Sequence, residues 1–206
     1  MAAAVDLAAQ EGVEALTVRR LGEQLGCDPS ALYRHFTNAE DLHRAVGDQF
    51  LADVDVRPRP REGWRSAVRR LCIELRRAQL RQPKLAALVR AAPTRLGNEV
   101  AITEALLREL RRGGFRGASA VRAYHALIEL TVGSAAIDAP LAALDPDERS
   151  ATYGSWRADY AALDAERFPA SVAAAPLLYQ GSADDRFEEA LDLLLAGLIA
   201  RRRPTH

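Results

Sequence analysis

Cysteine is scarce in this 206-residue chain: Cys27 and Cys72 stand alone, at no spacing from another cysteine or a histidine that suits a metal ion. Neither a disulfide framework nor a zinc site is expected, and a reducing cytoplasm is the default setting. Aromatic residues make up only 6% of the sequence and β-branched residues are sparse, while Ala and Leu abound, a balance that disfavours sheet and favours helix. No apolar run approaches a membrane span, and the first residues lack the basic-then-apolar pattern of a secretory leader. Paired carboxylates, a triad order and a phosphate loop are also missing, and His35, His43, His125 and His206 form no constellation. Cys72 as a nucleophile would need a histidine base supplied by the fold, and a small buried residue is the plainer reading. An enzyme is the weakest of three readings, and no cofactor or metal is expected.

Positive charge is missing where it would be most useful. The whole chain is neutral, but residues 1–56 hold 4 Arg and no Lys against 10 Asp and Glu, a net charge of −6. That balance counts against a nucleic-acid partner, because phosphate neutralisation supplies much of such affinity. Nine Arg follow between Arg57 and Arg81.

What is present is a stretch from Thr17 to Phe36, TVRRLGEQLGCDPSALYRHF. Thr17 suits an N-cap, Val18, Leu21 and Leu25 follow at helical spacing, and Gly26 supplies the positive φ that ends a helix. Asp28 can cap a second helix with Pro29 at its first position; Leu32 and Phe36 then point inward, and Ser30, Ala31, Tyr33, Arg34 and His35 are left outside. Two short helices around a glycine turn, the second beginning with small residues, form a helix-turn-helix whose second helix enters the major groove.

LTVRRLGEQLG and SALYRHF, with AAQEGVEAL before and NAEDL after, resemble the DNA-binding domain of the tetracycline-repressor (TetR) family of transcriptional regulators. The matching pieces run from about Ala3 to Leu42, and Gly114-Phe115 is similar to the regulatory domain of the tetracycline repressors themselves. The resemblance implies that Thr17, Arg19, Tyr33 and His35 meet DNA, mostly at phosphate, and that Ser30, Ala31 and Arg34 face base edges. Arg34 alone among them can grip guanine bidentately. The plainer alternatives are packing for Tyr33 and helix-end capping for His35. By the same comparison the basic arm before the first helix is missing, and Ala39 stands where the family often has a phosphate-binding Lys. In the tetracycline repressors a histidine helps hold the drug's magnesium ion. The matching position is Arg90, which cannot ligate a cation, so an apolar or anionic effector fits better than tetracycline-magnesium.

Along the chain, Ala2–Glu11 reads as a supporting helix ended by Gly12, and Asn38 caps a helix from Ala39 to about Val54 with Leu42, Val46 and Phe50 inward. Arg57-Pro58-Arg59-Pro60-Arg61 prevents regular structure and reads as a solvated hinge. Residues 1–56 are therefore expected to be the DNA-binding head and 57–206 a helical ligand-binding and dimerisation body, giving an all-α protein. In the body, helices are expected over 64–80 (apolar on one face, Arg on the other), from Pro83 to Pro93, over 96–112, over 121–141 and over 186–201; residues 167–180 read as an irregular lid. Tyr153, Trp156, Tyr160 and Leu163 form a stripe suited either to packing or to an aromatic ligand. Trp64, Leu88, Arg90, Thr94, Tyr124, His125 and Glu129 are the candidate effector contacts. The last helix carries Leu191, Leu193, Leu194, Leu195, Leu198 and Ile199 almost all round, so a second subunit is its natural cover, pairing 121–141 and 186–201 with their copies about a two-fold axis. Such a dimer would set two recognition helices about one DNA turn, ~34 Å, apart on a palindromic operator. The expected function is a homodimeric repressor released from its operator by a small molecule; the alternative is a helical ligand-binding or interaction protein without DNA binding.

Overall fold

Capping chemistry sets most of the helix boundaries. In a computed structural model, which describes residues 1–201, the chain is all-α, with eleven α-helices and no strand among the described residues. α1 (Ala2–Glu11) ends at Gly12, whose φ of 95° suits glycine alone. α2 (Val18–Leu25) starts at Thr17, whose hydroxyl accepts the Arg20 amide at 3.1 Å, and stops at left-handed Gly26. α3 (Pro29–Leu32) begins where the Asp28 carboxylate accepts the Ser30 amide at 2.8 Å. α4 (Ala39–Phe50) begins where Asn38 accepts the Asp41 amide at 2.8 Å. The body comprises α5 (Trp64–Arg81), α6 (Pro83–Ala91), α7 (Gly97–Arg112), α8 (Gly117–Ala142), α9 (Pro146–Ala161), α10 (Pro169–Ala174) and α11 (Ala183–Ala200).

One apolar cluster runs without a break from Leu7 of α1 and Leu42 and Val46 of α4, through Leu71, Leu75 and Leu106, to Leu191 and Leu195 of α11. Burial of this continuous surface is the main stabilising term. Among the described residues no single helix is long and apolar enough to cross a membrane.

Three local expectations are corrected. α4 ends at Phe50, because the chain tightens into a 3-10 turn over Leu51–Asp53 and Val54 turns extended. Residues 167–180 are not irregular: Pro169 stands in the first turn of α10, where its missing amide hydrogen is no loss, and a 3-10 turn over Ala175–Leu177 follows. Leu25 is half exposed, at the edge of an apolar dish between α1, α2 and α3. The arginine-proline segment 57–61 is exposed, as expected, while its flanks are tied to α5. Arg70 donates to the Asp55 carbonyl at 2.8 Å and to both Glu62 carboxylate oxygens at 3.0 Å, and the Asp55 amide donates to Glu74 at 3.1 Å. Finally, the arginines of α5 do not all face water. Arg76 is only 1% exposed; it donates to Asp138 at 2.7 Å, to Ser134 at 3.1 Å and to Asp184, with its guanidinium over the Phe187 ring.

Candidate nucleic-acid interface and its link to the body

The head is built so that α3 stands off it. α3 is a single turn, prolonged by the Tyr33 amide donating to the Pro29 carbonyl at 3.1 Å and the Phe36 amide to the Leu32 carbonyl at 3.0 Å. Leu32 and Phe36 pack half-buried against the core. On the other side Ser30, Tyr33, Arg34 and His35 are exposed and Ala31 is half-buried; Tyr33 keeps 56% of its surface free. A second close approach fixes the angle between the two helices: a β-carbon on Gly22 would meet the Cys27 carbonyl at 3.1 Å and the Pro29 ring at 3.3 Å. The face expected to meet DNA is therefore assembled and open.

Electrostatics on that face are partly spent internally. Arg19 donates to Glu23 at 3.2 Å, and Arg20 pairs with Glu11 and lies 3.7 Å from Glu23. The hydrogen bond to Arg20 holds the Glu11 carboxyl below its ordinary range. Thr17 serves as helix cap while its residue stays exposed. Arg34, by contrast, is exposed and extends from α3 beside Tyr33 and His35.

The link from head to body runs through α4. A β-carbon on Gly47 would meet Val89 at 3.1 Å and Leu88 at 3.3 Å, so α4 lies directly on α6. One residue on, Asp48 is a buried acid whose carboxylate accepts the backbone amides of Asn98 at 3.2 Å and Glu99 at 3.0 Å, together with the Thr94 hydroxyl at 3.0 Å and the Asn98 side chain at 3.1 Å. A carboxylate on the first amides of a helix also opposes the positive end of its dipole, here that of α7. Sequence reasoning missed Asp48, since its partners are scattered between 46 and 51 residues away.

The seven residues expected to contact an effector take the following places. Leu88 and Thr94 serve the contact with α4. Trp64 lies edge-on to Phe115 at 5.8 Å and covers Gly113. Tyr124 shares a 2.9 Å hydrogen bond with Thr103 across α7 and α8. His125 and Glu129 are exposed on α8. Arg90 folds back along α6 to donate to the Pro83 carbonyl at 3.4 Å, and its other terminal nitrogen is buried without a hydrogen-bond partner. Gln79, fully buried on α5 and absent from the expected set, likewise has both ends of its amide unpartnered. Cys72 is buried and held by Thr131, and burial pushes its thiol up to about 12, which removes it as a nucleophile.

Residues 57–202 match the family described as Tetracyclin repressor-like, C-terminal domain, and residues 1–46 that described as Bacterial regulatory proteins, tetR family. The tetracycline repressor protein class C of Escherichia coli is 31% identical over 206 residues, which span 98% of this chain and 90% of that protein. An HTH-type transcriptional regulator of Saccharopolyspora erythraea is 29% identical over 204 residues, covering 97% and 83%. Among solved structures, ActR from Streptomyces coelicolor in complex with actinorhodin superposes with a TM-score of 0.86 at 26% identity, over 98% of this chain and 96% of ActR.

Proposed function

The chain belongs to the TetR family and is a ligand-responsive, DNA-binding transcriptional regulator; from that premise we propose that it is a homodimeric repressor whose α3 enters the major groove of a palindromic operator. The observation that carries the reading is the open face of Ser30, Tyr33, Arg34 and His35 on a head whose Leu32 and Phe36 pack half-buried against the core. Arg34 takes a guanine, Ser30 and Ala31 allow close approach to neighbouring bases, and Thr17, Arg19, Tyr33 and His35 meet phosphate. The head extends over 1–56 and the body over 57–206. Members of the family are regulators rather than enzymes, and a reaction plays no part in this function.

Release follows from an effector with different affinity for two settings of α4. The family resemblance directs that effector to the interior between α5, α6, α7 and α8, near Arg90 and Tyr124. The unpartnered amide of Gln79 and the free nitrogen of Arg90 supply a donor and an acceptor that burial makes costly to leave unpaired. ActR in its complex with actinorhodin supports an organic, non-metal effector. The test is a gel shift of the protein on the DNA upstream of its own coding region, at two salt concentrations. A two-fold protected site whose affinity falls steeply with salt is expected. Arg34→Ala should weaken it by about 1–3 kcal/mol and relax the preference at one base position. Failure of the unmodified protein to shift this DNA, or any DNA selected from a random pool, would leave only the ligand-binding half of the proposal.

A further inference from the structure

A cleft of about 530 Å³ opens on the outer side of the body between α9 and the turn that leads into α11. Its wall on α9 is Arg149, Tyr153 and Arg157, spaced four residues apart and so about 6 Å from one to the next along one helix face. Opposite stand Tyr179, Gln180 and Ser182. Two cations and two aromatic rings line it, and no carboxylate does. Two acids at the start of α11 are engaged elsewhere: Asp184 pairs with Arg76, and Asp185 accepts the Ser182 amide at 3.0 Å.

The rings form a packed cluster in which Tyr153 is buried and Tyr179 is its half-exposed cover. Tyr153 and Tyr179 stack at 5.7 Å with their planes 11° apart, and Trp156 meets Tyr179 edge-on at 5.0 Å. Arg186 lies over Tyr153 at 5.1 Å and donates to its hydroxyl at 2.9 Å, which fixes that ring from behind. Tyr179 reaches its place only by adopting φ of 57°, a left-handed conformation that a bulky side chain rarely takes. Strain of this kind, of order 1–3 kcal/mol, persists where surrounding structure enforces it, and it gathers at ligand clamps. Of the two cations, Arg157 is the lightly used one. Arg157 has a single long bond, 3.4 Å to the Tyr179 carbonyl, while Arg149 turns two of its nitrogens to the carbonyls of Leu141 and Leu144.

We propose that this cleft is a second, surface binding site for a flat aromatic anion, a carboxylate or phenolate whose ring lies against Tyr179 and whose charge meets Arg157. The site is separate from the interior between α5 and α8, and it stands whether or not the interior takes an effector. Occupancy would tie α9 and the 179–182 turn to the first turn of α11, so it would act on the helix that carries the exposed Leu193. Planar ligands suit such a site because aromatic stacking and cation–π contact both reward a flat face.

The experiment is a titration of the full chain, without DNA, with 2-naphthoate, followed by tryptophan fluorescence, with 2-naphthamide as the uncharged control. A saturable quench is expected that is lost in Trp156→Phe, weakened about tenfold or more in Arg157→Ala, which is 1.4 kcal/mol or more, and at least tenfold weaker for the amide. Far-ultraviolet circular dichroism confirms that both variants keep their helices, and Tyr179→Gly, which relieves the backbone while removing the ring, should also abolish the quench. No saturable quench, a quench that survives Trp156→Phe, or one indifferent to Arg157 and to ligand charge would overturn the proposal. Since no operator enters the measurement, loss of DNA binding and loss of this site are separately visible.

Discussion

Glu23 sits one turn from both arginines that begin α2, and it holds Arg19 at 3.2 Å and stands 3.7 Å from Arg20. Exposed pairs of this type are worth about 0–1 kcal/mol, so they compete weakly with phosphate but do compete. Glu23→Gln frees Arg19 and removes a negative charge from the DNA-facing side; operator affinity should rise up to about fivefold at low salt, with a steeper salt slope, in a fluorescence-anisotropy titration. An unchanged affinity would mean that Arg19 does not touch phosphate. Asp48 is a different kind of acid. It is buried, and its carboxylate serves two backbone amides, a hydroxyl and a side-chain amide at once. Asp48→Ala strands those groups and should lower stability by about 2–3 kcal/mol, a fall in Tm of roughly 4–12 °C. Thr94→Val removes one partner only and should lose about 1 kcal/mol. If Asp48→Ala melted like the parent, α7 would not depend on that cap.

The elements divide into those whose makers lie nearby in sequence and those whose makers lie far away. Thr17, Asp28, Asn38 and Gly26 act within four residues of the backbone they cap, so the head was readable from the chain, down to the exposed side of α3. Arg76 finds Ser134 and Asp184 at separations of 58 and 108 residues, and no periodicity in α5 distinguishes it from the exposed Arg77. The surroundings of the expected effector residues were hidden for the same reason: polar members of apolar stretches were visible, but whether they face α4, each other or water is decided by tertiary packing. The arginine-proline segment is a further example: residues 57–61 are exposed, as its alternating prolines suggest, but the flanking Asp55 and Glu62 are bound by Arg70 of α5. The hydrogen bonds from Arg57 hold the Asp55 carboxyl down at about 2, and those from Arg70 depress Glu62. Folded-state values below the ordinary carboxylate value of about 4 mean that the strap's stabilisation is complete above that pH and is lost as the pH falls through the folded values. Hydrogen exchange over residues 55–62, corrected for its intrinsic rate, should therefore stay slow down to about pH 4 and accelerate toward pH 2. Asp55→Asn should flatten part of that dependence; a pH-independent segment would show that these ion pairs do not hold it.

Assembly follows from what the single chain leaves uncovered. On α11, Leu191 and Leu195 are fully buried, whereas Leu193 is 70% exposed and Leu194, Leu198 and Ile199 are half-covered. On α8, Ile137 is 77% and Val121 47% exposed. Both helices are longer than the sequence suggests, 117–142 and 183–200 in place of 121–141 and 186–201, so the pair offers about five turns of α11 and seven of α8 to a partner. An apolar surface of that length on two adjacent helices fits an isologous contact with its own copy, in which each subunit covers the same residues of the other. Large apolar side chains near the centre of such a contact carry most of its energy. Leu193→Glu places two carboxylates, one from each subunit, in that centre, and Ile137→Glu does the same on α8; either should shift the sedimentation coefficient to that of a monomer at micromolar concentration while helicity is retained. A monomer can occupy only one half-site, so operator binding should fall by 10²-fold or more, on the order of the avidity gained by linking two sites. Should Leu193→Glu remain dimeric with full operator affinity, the exposed leucine of α11 would lie outside the subunit contact and the dimer would have to form through another face.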